Sequence, residues 1–114
     1  MSIPSEIRNI IDRVNQDLNE TEQEATEGIS LVRPILSQFP ENVALTQFFA
    51  YFSSILFFVE MCRTRRLPTI VENISDSDVT DLQIEQAGEE LGTLLGQVIE
   101  AKIGVRRIVE RLQN

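Results

Sequence analysis

Apolar or small residues recur in the first third of the chain at Ile7, Ile11, Val14, Leu18, Thr21, Ala25, Gly28 and Val32, in alternating steps of four and three. This period places them on one face of a helix, predicted over about residues 5–33. Pro4 suits a first helical turn behind Ser2, and Glu6 and Asp12 complement the positive end of the helix dipole. Pro34 has no amide hydrogen and disfavours helical geometry at Arg33, so the helix is expected to stop or bend there. Residues 35–39 then form an irregular or short helical continuation.

Pro40 is expected to open a second helix, over about 40–66, which Leu67 and Pro68 end. Residues 69–75 read as a linker whose three aliphatic side chains, Ile70, Val71 and Ile74, lie over the end of the core. The stretch Asp76-Ser-Asp-Val-Thr-Asp81 holds several helix-capping residues. A third helix follows over about 79–112, with the stripe Ile84, Gly88, Leu91, Leu95, Val98, Lys102, Val105, Val109 and Leu112. That heptad favours packing against long partner helices. The fold class is therefore all-α: a single domain over 1–114, built as three long helices running up-down-up and completed by homodimerisation into a larger bundle.

Three glycines inside the third helix, Gly88, Gly92 and Gly96, each cost about 1 kcal/mol relative to alanine. Close packing against bulky phenylalanines is the expected reason, with a ligand groove or a membrane-helix contact as alternatives.

The second helix carries 17 residues without a charge, 43–59, followed by Arg63, Arg65 and Arg66. At helical rise this segment is about 25 Å long, short of a hydrocarbon core of about 30 Å. Leu45, Phe48, Phe49, Phe52, Ile55, Leu56 and Val59 gather on one side, an arrangement a lipid-facing helix does not need, so the segment is expected to be a core helix of a soluble protein, central once a homodimer forms. Ala50, Tyr51, Ser54, Phe57, Phe58 and Met61 lie on the other side and have no partner in a three-helix monomer. Tyr51, Phe57, Phe58 and Met61 are accordingly the expected interface of a homodimer, which also uses the overhanging end of the third helix.

The net charge of −8 repels a phosphate backbone, so no direct nucleic-acid partner is expected. The single Cys62 reads as a small buried hydrophobe, and with no basic and apolar stretch at the start of the sequence a cytoplasmic location is the expectation. Histidine is absent, which removes Ser-His and Cys-His dyads and the histidine-bearing di-iron sets. Asp17, Glu20, Glu22, Glu24 and Glu27 resemble in spacing the Mg-binding carboxylates of all-α nucleotide phosphohydrolases, but the second helix supplies no matching acidic motif and a solvated face is favoured. Residues 76–87 begin like a calcium loop yet place Asp81 and Ala87 where glycine and glutamate belong.

Arg106, Arg107 and Arg111, with Lys102, form a basic group that is expected to pair with the acidic part of the first helix, or to serve as a patch for a protein partner. Lys102 occupies a stripe position and is expected to snorkel or to set register. No cofactor, metal or catalytic residue is expected. The resulting reading is a non-enzymatic binding, scaffold or accessory subunit. A membrane-associated protein using 43–62, a spacer in a nucleic-acid-processing complex and the Mg-dependent phosphohydrolase are the alternatives.

Overall fold

The computed structural model describes residues 3–114, so Ser2 lies outside the described residues. Four α-helices, α1 (Ser5–Gln38), α2 (Val43–Met61), α3 (Leu67–Asn73) and α4 (Asp81–Gln113), form three helical rods, with no strand among the described residues. The all-α class and the helical bundle expected from the periodicity are what the chain adopts. The body measures 59 × 22 × 16 Å, a length set by the 34-residue α1 and the 33-residue α4, each of which spans about 50 Å at 1.5 Å per residue.

Three boundaries differ from expectation, each for a local reason. α1 passes through Pro34 to Gln38 instead of stopping at Arg33. The lost amide bond is offset by packing on both sides of it, where Leu31, Val32 and Leu36 enter the apolar cluster. Pro40 lies in a turn rather than in the helix, and Asn42 caps α2 by accepting a hydrogen bond from the Leu45 amide at 3.0 Å. The expected linker at 69–75 is mostly helix: α2 continues into α3 through a π-helical turn at Cys62–Arg66, forming one rod from Val43 to Asn73. In a regular α-helix the Pro68 ring would collide with the Thr64 carbonyl. The wider turn removes that clash, and the Leu67 amide reaches back to the Cys62 carbonyl. Ile70 and Ile74 are buried and Val71 is partly so, which gives the aliphatic residues of this segment the core role expected of them.

The third helix starts where its caps predict. Thr80 accepts from the Gln83 amide at 3.1 Å while the Gln83 side chain accepts from the Thr80 amide at 2.8 Å, a complete capping box.

α1, not α2, is the central rod. It packs along the whole of α4 on one side and against α2 on the other, whereas α2 and α4 touch little. Thr21, Ala25 and Gly28 are buried on α1, and their small size lets both neighbours approach. Two apolar clusters result. One joins Val14, Leu18, Val59, Cys62, Leu91 and Leu94; the other joins Ala25, Val32, Phe52, Val105 and Val109.

The glycines that receive aromatic rings are Gly28 and Gly104 rather than the ladder in α4. A Cβ on Gly28 would overlap the Phe52 ring, and one on Gly104 would meet the Tyr51 hydroxyl. Gly92 and Gly96 are exposed with open space above them, and Gly88 only approaches Ile7. The ladder falls on the solvent side of α4 because Ala87, Leu91, Leu94 and Val98 carry the buried face.

Candidate functional site

Polar contacts fix how the rods are registered before any binding face is considered. Asp17 is 3% exposed, and its Oδ1 accepts from Lys102 Nζ at 2.9 Å while Oδ2 faces Arg13 Nε at 3.5 Å. Lys102 also donates to Glu20 Oε2 at 3.0 Å. Burial by itself would raise the Asp17 pKa, but the hydrogen bond and charge of Lys102, with help from Arg13, outweigh it and hold the carboxyl below its ordinary value. The same hydrogen bonds, from Asp17 first and Glu20 second, push the Lys102 ammonium above its ordinary value.

Further along, Arg106 donates to Glu24 at 2.8 and 3.0 Å, and Gln113 donates to Glu27 at 3.1 Å. Arg63 in the π-turn donates to Glu22 at 2.8 Å and to Asn19, and Arg66 donates to Gln97 at 2.7 Å. Each carboxylate of the acidic run on α1 thus has a partner from another rod or from α4. Among the described residues no cluster of three or more His, Cys, Asp or Glu could hold a metal ion. Cys62 is buried; loss of solvation raises its thiol pKa against an opposing pull from Arg66.

These pairings split the expected basic patch. Arg106 turns toward α1 and is engaged there, as the expected internal pairing requires. Arg107 and Arg111 are exposed, make no ion pair among the described residues, and line an open groove of about 500 Å³ with Tyr51, Gly104, Ile108 and Glu110. A neighbouring groove of about 550 Å³ continues from Tyr51 along Ile55, Phe58, Gln97, Glu100 and Ala101. Beyond the Arg66–Gln97 bridge lies a third, of about 830 Å³, between Arg65, Arg66 and Thr69 on one wall and Gln86, Glu89, Glu90 and Thr93 on the other. One long furrow therefore separates the second rod from α4, with Tyr51, Ile55 and Phe58 at its middle beside the lone charge of Glu100, and several charges at each end.

Of the expected interface residues, Tyr51 and Phe58 line this furrow, and the four differ in exposure. Phe57 is 66% exposed, while Tyr51, Phe58 and Met61 are half-buried; Phe58 also packs against the first apolar cluster, and the Tyr51 hydroxyl sits over Gly104. Of the whole of α2, only Phe52 and Val59 are fully buried. The rod Val43–Asn73 is long and apolar enough to cross a membrane, with mean hydropathy 1.5 over its most apolar window, yet only 17% of that window is buried. Sequence reasoning missed Arg65, Glu89 and Glu90 as parts of this face. Their facing positions depend on how far α4 stands from the second rod, which no periodicity records.

The class these features define is an elongated all-α bundle with one apolar rod left largely uncovered. Comparison with protein-family models, with curated proteins and with solved structures gives no match.

Proposed function

We propose that this chain is a non-enzymatic binding or scaffold subunit, active as a soluble cytoplasmic homodimer whose contact face is the uncovered side of α2 and the furrow beside α4. The observation that carries this reading is the exposure of α2, an apolar helix with two fully buried residues. An apolar surface of that size is the mark of an interaction site. The shape supports it. The radius of gyration of 17.5 Å exceeds the about 13 Å of a compact chain of this length, and the accessible area of 7221 Å² exceeds the about 6,300 Å² of a typical monomer of this mass.

The order of contacts supports an up-down-up course. Asp17, Glu24 and Glu27 meet Lys102, Arg106 and Gln113 in ascending order, whereas Glu22 and Gly28 meet Arg63 and Phe52 in descending order.

Lipid is the second reading, favoured by the low burial of α2. The attachment of α1 weighs against it. Arg63 is bonded to Glu22, Arg33 lies 5.8 Å over the Phe49 ring and Phe52 sits on Gly28. Sinking α2 into a bilayer would carry the acidic stretch of α1 with it, and each charge at the membrane centre costs about 3 kcal/mol. Flotation with liposomes separates the two readings: the dimer requires full recovery in the soluble fraction without detergent, and stable co-flotation would refute it.

A further inference from the structure

Resting on the homodimer reading above, we infer that the second copy lies antiparallel across the furrow, with Glu89 and Glu90 of each chain facing Arg107 and Arg111 of the other. At 3.6 residues per turn these four positions share one side of α4, and all four line the furrow. None of them makes an ion pair among the described residues, although the fold pairs Lys102 and Arg106 on the opposite side of the same helix. The furrow side of α4 is thus acidic in its first half and basic in its last, with Glu100 and Glu110 as the exceptions.

Two-fold symmetry offers two ways to stack this face on itself. With the axis across the rods, α4 meets the partner's α4 in the opposite direction, so its acidic half covers the other's basic half. The midpoint between Glu89 and Arg111 is Glu100, level with Tyr51 and Phe58, so the axis passes through the middle of the furrow. α2 then lies on the partner's α2, pairing two stretches that carry no charge. With the axis along the rods, α4 would instead meet the partner's second rod, and Glu89 and Glu90 would face Arg65 and Arg66. That arrangement leaves Arg107 and Arg111 opposite the uncharged start of α2, and Glu89 and Glu90 already share a groove with Arg65 and Arg66 of their own chain.

The area suffices. The 19 residues of α2 extend about 28 Å, and across a body 22 Å wide they give a footprint of about 600 Å² before surface relief is counted, near the about 800 Å² that each partner contributes to a standard interface.

Sedimentation equilibrium of the full chain at low salt tests the inference, with circular dichroism to verify folding. Glu89→Arg with Glu90→Arg moves the net charge of each chain from −8 to −4, since each change adds two. General repulsion would then weaken and association tighten. Antiparallel stacking predicts the reverse, a dissociation constant raised about tenfold by facing like charges. Arg107→Glu with Arg111→Glu is expected to weaken association as well, and combining all four changes should restore it to within about threefold. Glu100→Gln, which removes like charges flanking the axis, should tighten the dimer. Tighter association of the Glu89 and Glu90 variant, or its rescue by Arg65→Glu with Arg66→Glu instead, overturns the antiparallel stacking while leaving the dimer standing. A 13.0 kDa species at every concentration overturns the homodimer reading itself.

Discussion

Gly28 shows how one residue fixes the meeting of two helices. The Phe52 ring occupies the space a side chain would need, and a buried ring in a packed core has little freedom to move. Gly28→Ala is expected to lower unfolding stability by about 2 kcal/mol through overpacking. Gly92→Ala and Gly96→Ala meet open space instead, so each should raise stability by about 1 kcal/mol through helix propensity alone. Urea denaturation of the three variants checks both signs. The Asp17–Lys102 pair predicts a pH window. The folded-state pKa of Asp17 is depressed, so its contribution is present above the ordinary value of 3.8 and is lost as pH falls through the folded value. That of Lys102 is raised, so its contribution is complete below 10.5 and is lost as pH rises through the folded value. Stability from this pair is therefore greatest between those limits. Lys102→Met leaves a buried carboxylate with only the exposed Arg13 beside it, and is expected to cost about 3 kcal/mol at neutral pH, with part of the loss recovered on acidification, as thermal melts across pH would record.

At the scale of elements, the chain repeats one lesson at two prolines. Pro34 and Pro68 both read as helix ends, and both lie within continuous helical rods. A proline removes one hydrogen bond and introduces one clash, costs of local origin, whereas the apolar residues around it gain from burial that depends on distant partners. Val32 and Leu36 hold the first proline in place; at the second, the π-turn relieves the clash while Leu67 and Ile70 are buried. The start of α4 is the opposite case, because the capping box is closed by Thr80 and Gln83 alone and needs nothing from the rest of the fold. Thr80→Ala should lower stability by about 1 kcal/mol and leave the rods otherwise intact, measured by denaturation and helical circular dichroism.

For the whole molecule, the length of α4 and the exposure of α2 predict a subunit that binds. Phe57→Ser, at a residue 66% exposed, should weaken self-association with little loss of monomer stability. The same change at Phe58, which packs on the first apolar cluster, should reduce both. The hydrophobic pattern by itself determined the helical class, the three rods, the buried stripe of α1, four of the buried positions of α4 (Leu91, Val98, Val105 and Val109, but not Ala87 and Leu94), the capping of α4 and the two-sided character of α2, because these depend on residues within a few helical turns of one another. Tertiary structure alone decided that α1 is central, that Phe52 and Tyr51 settle on Gly28 and Gly104 instead of the glycine ladder, and that Arg106 is engaged while Arg107 and Arg111 make no ion pair among the described residues. Those outcomes depend on rotation and spacing between rods, which small residues on α1 and Gly104 on α4, far away in sequence from what they accommodate, help to set.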